Sequence, residues 1–380
     1  ISRGLVGSEM CIRDRFILAG SIMNSAGISR RLIAFASALV GFIKGGLSMI
    51  NIATSMFFAE ISGSAVADVA ALGSILIPAM KKKGYPGAFA AAVTSSSASL
   101  AIIIPPSIPM IVYAVMSQSS VVQLFVAGII PGVIGGFFLM LAAYVTARKK
   151  NFPVEETFNI PNVKKTAKDA ALAFLLPVII LGGIFGGVVT ATEGAGLAVV
   201  ASLVIGFIYK EIDFKRLYES ACEGAIQTAS VMLLVAASVL LGEFLTIEQI
   251  PQKVAESIIE FTNNKYAVLG ILNIFLLIIG FFLHSVAAII LTVPIVMPLV
   301  NAVGIDPVHF GIIVTLNLAI GQQTPPVASV LVTACSVAKA DIWDVTRSNI
   351  SFICVLLVLL LLVTYVPAIP MTLVEYFYRS

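Results

Sequence analysis

The chain has 380 residues, of which 59% are hydrophobic and only 11% are charged, whereas soluble domains carry about 25% charged residues. This composition excludes an ordinary soluble domain and predicts an all-α protein that crosses a membrane several times. The net charge of +3 is spread over short loops, so it indicates membrane orientation and not a nucleic-acid surface.

Residues 1–15 differ in character from the rest of the chain. Their sequence, ISRGLVGSEMCIRDR, resembles a translated sequencing-adapter artefact of the kind fused to gene predictions, and the alternative is a short native tail. We set this segment aside in reasoning about the fold and expect the natural chain to begin upstream of the residues given.

Six apolar runs approach the roughly 20-residue length that spans a bilayer as a helix. In chain order they cover 121–147, 170–186, 194–209, 217–245, 310–336 and 349–368. Shorter runs occur as two adjacent pairs, at 46–61 with 65–80 and at 266–283 with 285–300. Each run in these pairs is too short to span alone, so we predict two re-entrant hairpins that enter the membrane and return.

The chain carries an internal repeat, which is clearest in its helix-breaking residues. A shift of 220 residues places Pro78 on Pro298, Gly84 on Gly304, Pro105 on Pro325 and Pro106 on Pro326. Such residues fix the architecture, so their coincidence is better evidence of a repeat than overall identity in so apolar a chain. The sequence predicts two structural copies, each with one hairpin and one broken transmembrane helix.

The loop after each hairpin indicates that the two copies have opposite orientations. The first loop, KKKGYPG at Lys81–Gly87, is basic, whereas the second, NAVGIDPVHFG at Asn301–Gly311, contains no Lys or Arg. Basic loops stay in the cytoplasm, so we expect the two loops on opposite faces. We predict inverted repeats at 16–148, incomplete at its N-terminus, and at 170–380, which includes the C-terminal span. A cytoplasmic loop at 149–169 joins them.

Each copy interrupts a membrane helix with two adjacent prolines. The first break lies in LAIIIPPSIPMIVYAV at 100–115, and the second lies in LAIGQQTPPVASVL at 318–331. A proline inside a helix costs roughly 3 kcal/mol or more, and the freed carbonyls find no water in hydrocarbon. Broken helices offer carbonyls to a cation and positive helix N-termini to a carboxylate. The breaks, with polar hairpin tips at 61–68 and 281–288, therefore predict a binding site.

The candidate ligands at the tips and breaks are neutral oxygens, which favour a hard cation such as sodium. Besides nearby carbonyls, they are the hydroxyls of Ser62, Ser64, Ser107, Ser285 and Thr324. A proton relay is the alternative, and it would use intramembrane carboxylates. The candidates for it are Glu60, Asp68 and Glu193. In a further alternative, the prolines are packing kinks and the serines are contacts between helices. This alternative does not explain why a polar hairpin tip and a proline break both occur twice, at positions matched by the 220-residue shift.

Glu193 lies in a Gly-rich turn, LGGIFGGVVTATEGAG at 181–196, between two predicted spans. A carboxylate at that place can cap a helix N-terminus, and we prefer this role to one in coupling. The two histidines, His284 and His309, are too few for a zinc site, so sodium is the only metal that we expect.

From Phe16 to its end, the chain resembles the large membrane subunit of tripartite ATP-independent periplasmic (TRAP) transporters. The motifs that carry this resemblance are FILAGSIMNSAGISRRL, ISGSAVADVAALGSILIPAMKKKGYP, IIIPPSIPMIVY, LFVAGIIPG, TATEGAG and GIDPVHFGIIVTLNLAIGQQTPPVASVL. Each motif alone is weak, but together they are highly specific. One departure is Ala191, where the family commonly has a proline, and it leaves that turn less rigid.

The resemblance implies a sodium-driven importer of organic acids in the bacterial or archaeal cytoplasmic (inner) membrane. It implies an elevator mechanism, in which the hairpins and broken helices carry the substrate across a static scaffold. Two partners are also implied: a small four-span membrane subunit, and a periplasmic binding protein that delivers a carboxylate such as a C4-dicarboxylate or a sialic acid. Neither an enzymatic activity nor a cofactor other than Na+ is implied.

Carried over position by position, the resemblance implies two sodium sites. The first comprises Ser62, Gly63, Ser64, Pro105 and Ser107, and the second comprises Ser285, Gly321, Thr324 and Pro325. Residues of the same tips and breaks are the candidates for substrate binding: Ser64, Pro106, Ser107, Gln323, Thr324 and Pro326.

The main alternative is a stand-alone symporter of sodium and carboxylates with a related inverted-repeat fold. Neighbouring genes for a periplasmic protein and a small membrane subunit would distinguish the two. An intramembrane enzyme would need a nucleophile with a base, or paired catalytic carboxylates, and the sequence makes no convincing case for either. It also has no Walker motif of an ATPase. A channel is a further alternative, which counterflow exchange would exclude.

Overall fold

The computed structural model describes residues 15, 18–22, 27–152, 154, 159–186, 188–249, 252–253, 256, 262 and 264–378. Throughout these residues the backbone forms helices and connecting turns. The prediction of an all-helical protein is therefore confirmed for the described part of the chain. Of the segment at 1–15, only Arg15 lies in that part.

The first half of the chain contains the first hairpin and the first broken helix. A short helix, α1 (Ile28–Val40), precedes the hairpin. The first arm is α2 (Gly46–Ser62), and the second arm consists of α3 (Ala65–Asp68), a π-helical turn at Val69–Gly73 and α4 (Ser74–Lys82). The broken helix consists of α5 (Gly87–Ala98), a 3-10 turn at Ser99–Ile102 and α6 (Ile108–Ser117), and the long α7 (Val121–Lys149) follows it.

In the middle of the chain the structure gives full bounds for α8 (Ile160–Phe185), α9 (Ala191–Ile208) and α10 (Phe214–Ile247). The second hairpin is α11 (Lys265–Phe282) and α12 (Ser285–Ala302). The second broken helix is α13 (Pro307–Gly321) and α14 (Ser329–Ala338), followed by α15 (Ile342–Tyr365) and α16 (Ala368–Tyr378). Each predicted apolar run thus corresponds to a helix or a pair of helices. Both α8 and α15 begin earlier than their runs, because their polar first turns carry no hydropathy signal.

Four helices of the described residues are long and apolar enough to cross a membrane, namely α7, α11, α12 and α15. A bent pair within α8, joined at 48°, adds a fifth if it counts as one span. The arms α11 and α12 have 18 residues each, or about 27 Å at about 1.5 Å per residue. Our prediction that these arms are too short to span was therefore wrong on length alone, and their depth has to be judged from the position of the tip.

Single prolines and proline pairs affect these helices differently. Pro78, Pro131, Pro294 and Pro298 all lie inside helices. Describing Pro78 and Pro298 as helix breakers was therefore wrong. Each broken helix is interrupted around its proline pair, at 105–106 or 325–326, because a pair removes two successive donors and its first proline also occupies a position disfavoured in the helical region. Both Pro-Pro peptide bonds are cis.

The centre of the protein is formed by the first halves of the two broken helices. Every residue of α5 from Phe89 to Ala98 is buried, and so is every residue of α13 from Val308 to Gly321. Helix α5 packs against α2, α14 and α15, while α13 packs against α11, α7 and α15. The alanines and serines of α5 allow this close approach.

The second half of each broken helix packs against the hairpin of the other half of the chain. Helix α6 lies against α12, and α14 lies against the π-helical turn and α4. Helices α7 and α15 also pack against each other. The two halves of the chain are therefore interlocked, and the outer face of α7 exposes Val133, Phe137 and Leu141, as expected of a surface that faces lipid.

Candidate functional site at the broken helices

Ser107 joins the two halves of the first broken helix. Its hydroxyl donates to the carbonyl of Ile102 at 2.7 Å and accepts the amide of Met110 at 3.5 Å. The first bond satisfies a carbonyl freed at the end of the 3-10 turn, and the second caps the N-terminus of α6. Ser107 is completely buried, so this satisfaction comes from protein and not from water.

The tip of the first hairpin lies directly on this break. Gly63 has a φ of +58°, and a Cβ atom there would lie 3.0 Å from the carbonyl oxygen of Pro106 and 3.2 Å from the amide nitrogen of Ile108. Glycine fits both constraints, since it tolerates positive φ and lets backbones approach closely. The structure thus brings Gly63, Pro106 and Ser107 together.

The remaining predicted residues of the first sodium site flank this contact. Pro105 is buried beside Pro106. Ser64 is half-buried and extended, and it immediately precedes α3. Ser62 is the last residue of α2, and its side chain lies outside the part that the structure describes, as does that of Glu60.

Asp68 places a carboxyl group one turn beyond the first tip. It ends α3, just before the π-helical turn, and it is fully buried. Helix α3 packs against the 3-10 turn that precedes the first break. Intramembrane carboxyls are rare and usually functional, and ion or proton coupling by Asp68 stays a prediction.

The second hairpin meets the second break through backbone contacts. A Cβ atom at Gly321 would lie 2.5 Å from the carbonyl carbon and 2.8 Å from the carbonyl oxygen of Gly280. The amide of Val327 also donates to the carbonyl of Phe281 at 3.3 Å. Ser285, the first residue of α12, is buried beside this tip. Gly321 therefore has to be glycine because a main chain occupies the place of a side chain.

The two breaks differ in how well they are closed. Thr324 is half-buried, and its hydroxyl bonds to the carbonyl of Ile320 at 3.1 Å within its own segment, so it does not cap the next helix as Ser107 does. Helix α14 begins without a side-chain cap. Pro325 is half-buried and Pro326 is exposed, whereas Pro105 and Pro106 are buried. The second break is thus the more open one, and it presents an uncapped helix N-terminus.

A buried polar network connects the two breaks. The amide group of Gln323 donates to Ser99 Oγ at 2.6 Å and to the carbonyl of Ala319 at 3.3 Å. Its oxygen accepts from Ser96 Oγ at 2.8 Å and from Asn349 Nδ2 at 3.3 Å. Ser96 and Ser99 belong to the first broken helix, so Gln323 ties the second break to the first.

This network changes the interpretation of Gln323. The side chain is fully buried, and all of the bonds just described would have to open before it could bind a ligand. Substrate binding by Gln323 stays a prediction, whereas its role in joining the two breaks is visible. Sequence reasoning missed Ser96, Ser99 and Asn349, although the run TSSSAS at 94–99 is unusually rich in hydroxyls for an apolar helix and could have indicated the first two.

Asparagines fasten each hairpin to the broken helix beside it. Asn51 on α2 donates to Thr94 Oγ1 at 2.7 Å and accepts from Ser97 Oγ at 3.3 Å. Asn273 on α11 accepts from Asn317 Nδ2 at 2.7 Å. Ser97 and Asn317 are matched by the 220-residue shift, so equivalent positions of the two broken helices make the same kind of contact.

Glu193 caps the N-terminus of α9. Its carboxylate accepts the amide of Thr190 at 2.8 Å, while the amide of Glu193 donates to Thr190 Oγ1 at 3.3 Å. This reciprocal pair is a capping box. The prediction that Glu193 caps a helix is confirmed.

Residues 6–369 match a protein family described as "Tripartite ATP-independent periplasmic transporter, DctM component". The match begins inside the segment at 1–15, whose foreign origin stays a prediction.

Curated relatives cover most of the chain. The isethionate TRAP transporter permease protein DctMQ of Oleidesulfovibrio alaskensis is 42% identical over 94% of this chain and 56% of its own length. The C4-dicarboxylate TRAP transporter large permease protein DctM of Pseudomonas aeruginosa is 40% identical over 94% of this chain and 84% of its own length. The sialic acid TRAP transporter large permease protein SiaM of Vibrio cholerae is 37% identical over 95% of this chain and 85% of its own length.

The contact between Gly280 and Gly321 yields a testable prediction. In Gly321→Ala the new methyl group meets main-chain atoms, so tip and break must separate. We expect a loss of about 1–3 kcal/mol in the free energy of unfolding, as for other overpacked sites, together with slower uptake. Unfolding in detergent and uptake in proteoliposomes measure the two effects.

The control is Gly182→Ala in α8, where a Cβ atom meets nothing within 4 Å. Because alanine favours a helix over glycine by about 0.8–1.0 kcal/mol, this variant should be as stable as the wild type or slightly more so. A Gly321→Ala protein with wild-type stability and uptake would contradict the close contact.

Proposed function

We propose, from the finding that the chain belongs to the DctM component family of tripartite ATP-independent periplasmic transporters, that it imports organic acids across the cytoplasmic membrane with sodium as the coupling ion. Family membership makes the chain a transporter permease subunit and not an enzyme. One observation carries the proposal: each of two hairpin tips is in backbone contact with a broken helix.

The substrate is proposed to be a small organic anion. Two of the relatives are named for C4-dicarboxylates and sialic acid, which carry carboxylates, and one is named for isethionate, which is a sulfonate. A helix N-terminus favours either anion, because its amides and its dipole point at the ligand. The uncapped start of α14, beside the exposed Pro326, is where we place the acid group.

Helix packing supports two copies of one unit. The contact of α2 with α5 corresponds to that of α11 with α13. The contact of α6 with α12 corresponds to that of α14 with the π-helical turn and α4, and the contact of α5 with α15 corresponds to that of α13 with α7. These correspondences follow the 220-residue shift, so they favour a repeat in three dimensions.

Two hydrogen bonds favour an inverted arrangement of these copies. Lys81, near the end of α4, donates to the carbonyl of Ala338 at the end of α14 at 2.9 Å. The hydroxyl of Tyr113 in α6 donates to the carbonyl of Pro307 at the start of α13 at 2.7 Å. If the basic loop at 81–87 is cytoplasmic, the end of α14 lies on that face and the start of α13 lies on the other.

The positions of the tips favour hairpins that enter only part of the membrane. Gly63 meets the middle of the α5–α6 pair, and the second tip meets the middle of the α13–α14 pair. An arm that crossed the whole bilayer would end level with the end of α14 and not beside its start. This geometry supports a re-entrant second hairpin even though its arms are long enough to span.

The proposed sodium sites use the oxygens that the breaks leave available. The first comprises Ser62, Gly63, Ser64, Pro105 and Ser107, and the second comprises Ser285, Gly321, Thr324 and Pro325. A serine hydroxyl has one proton and two lone pairs. Since Ser107 donates its proton to Ile102 and accepts Met110 at 3.5 Å, an acceptor direction is left for a cation.

We propose an elevator motion in which the hairpins and broken helices, α2–α6 and α11–α14, move together past α8–α10. The interlocked packing of α6 with α12 and of α14 with α4 supports movement as one unit. Helices α8 and α9 pack on each other, and α8 packs on α1, which suits a separate scaffold.

Two partners are proposed. The name DctMQ combines the letter M of the DctM component with a second letter, Q. This chain spans only 56% of the length of that relative. That leaves room in the relative for a fused second component, so we expect this chain to act with a small membrane subunit. The family description contains the word "periplasmic", which supports delivery of substrate by a periplasmic binding protein.

Sodium affinity is the first property that tests this proposal. In Ser107→Ala and Thr324→Ala one neutral oxygen is lost from each site. We expect the sodium concentration for half-maximal uptake to rise by roughly tenfold to hundredfold, since losing a buried hydrogen-bonding partner costs about 1–3 kcal/mol. Uptake is measured against sodium concentration in proteoliposomes at matched protein density, without ATP.

The controls test whether a change in sodium affinity comes from loss of these two hydroxyls. Ser107→Thr keeps the hydroxyl and should retain the wild-type sodium curve. Thr315→Ala is the control for Thr324→Ala, because each hydroxyl bonds to the carbonyl four residues earlier. Thr315 lies inside α13 and outside the proposed ion sites, so its variant should keep the wild-type sodium curve. Unshifted sodium curves for both alanine variants would remove these side chains from the ion sites, and uptake that follows a proton gradient without sodium would favour Asp68.

Membrane topology gives a second test. Single cysteines at Lys82 and Val303, in a protein whose four native cysteines are replaced, should react with impermeant thiol reagents from opposite sides, because basic residues crowd only the first loop. Right-side-out and inverted vesicles provide the measurement. Labelling of both positions from the same side would contradict inverted repeats.

Delivery by a binding protein distinguishes the proposal from a stand-alone symporter. We expect no uptake from free substrate in proteoliposomes that contain the permease and its small subunit, and uptake once the cognate binding protein is added. A binding protein from an unrelated system serves as the control. Uptake of free substrate at the same rate without any binding protein would instead favour the symporter.

A further inference from the structure

A groove of about 750 Å³ opens between the end of α7 and the start of α15. Phe89 of α5 forms part of its wall. None of the residues that line it belongs to the two breaks or the hairpin tips, so the proposed transport site does not account for it.

One end of this groove is positively charged. Three exposed cations line it: Lys149 at the end of α7, Lys150 directly after it, and Arg347 in α15. Among the described residues, none of the three forms a salt bridge, and Ser348 and Ser351 also line the groove. Three cations that converge on one space repel one another unless an anion neutralises them, so the charge pattern fits a phosphate group.

The rest of the groove is apolar and faces outward. Leu141, Val145 and Val358 line it, with 56%, 44% and 51% of their surfaces exposed. Along α7 the distance from Lys149 to Phe138 is about 16 Å at about 1.5 Å per residue, which is close to the roughly 15 Å depth of one hydrocarbon leaflet. The groove therefore has the length and polarity of a phospholipid that stands in a bilayer.

We propose that this groove binds an anionic phospholipid of the cytoplasmic leaflet. The lipid phosphate contacts Lys149, Lys150 and Arg347, and an acyl chain runs along Leu141, Val145 and Val358. The basic end of α7 belongs on the cytoplasmic side, and Arg347 lines the same groove. Basic pockets between transmembrane helices on that side suit anionic headgroups. The apolar wall selects a lipid over a soluble phosphate.

Lipid binding by the purified full-length permease tests this proposal. The protein in neutral detergent is titrated with phosphatidylglycerol or with phosphatidylcholine of the same acyl chains, and bound lipid is counted by native mass spectrometry. We expect preferential retention of phosphatidylglycerol. The triple variant K149Q/K150Q/R347Q should weaken this binding by about fivefold per charge, or roughly hundredfold in all.

A matched variant, K164Q/K165Q/K210Q, removes the same charge from other exposed basic positions and should bind phosphatidylglycerol like the wild type. Val358→Trp fills the apolar wall without changing charge and should also weaken phosphatidylglycerol binding. The unfolding temperature of each variant is first measured in detergent alone. Only variants with the wild-type unfolding temperature are compared, so that misfolding does not imitate lipid loss.

Several results would overturn the proposal. They are equal retention of the two lipids by the wild type, unchanged binding in the triple groove variant, and displacement of the lipid by an equal concentration of glycerol 3-phosphate, which would indicate a soluble-anion site. Loss of the lipid when the small membrane subunit is co-purified would assign the groove to a protein interface.

Discussion

Every backbone polar group inside a bilayer needs a partner within the protein. In each of two helices, a pair of adjacent prolines lacks the backbone N–H donors that would have been such partners. The structure is arranged around these two interruptions. Ser107 closes the first, with the main chain of Gly63 pressed against it. At the second, the main chains of Gly280 and Phe281 lie against Gly321 and Val327. The hairpins bring polar backbone to the places where the helices have lost it.

The two breaks are equivalent in sequence position but not in environment. The first is sealed: its prolines are buried, and a serine caps the following helix. The second leaves α14 without a side-chain cap and exposes Pro326. Under our proposal both breaks hold sodium, and the acid group of the substrate lies at the second, more open break, where α14 begins without a side-chain cap.

Gln323 and the interlocked helices α6 and α14 couple the positions of the two breaks. The Gln323 amide bridges Ser96 and Ser99 of the first broken helix to Asn349 of α15, while α6 and α14 each rest on the hairpin of the other half. Displacing one break therefore strains the other, because buried amides cannot lose their partners without a cost of about 1–3 kcal/mol each. Such coupling is what our proposal of joint movement of an ion and a substrate requires.

The sequence by itself determined the helices, the adjacent helix pairs and the position of both breaks, because hydropathy and proline act through residues that are neighbours along the chain. The inverted repeat that it predicts stays a proposal. The sequence also identified the cap at Glu193. It misjudged Pro78 and Pro298, which stay within helices, and the length of the second hairpin's arms. Only the tertiary structure decided how open each break is, and that Gln323 bonds to Ser96, 227 residues away. The reason is that such contacts depend on how close-packed helices interdigitate. No local sequence pattern encodes the partner that a buried amide finds so far along the chain.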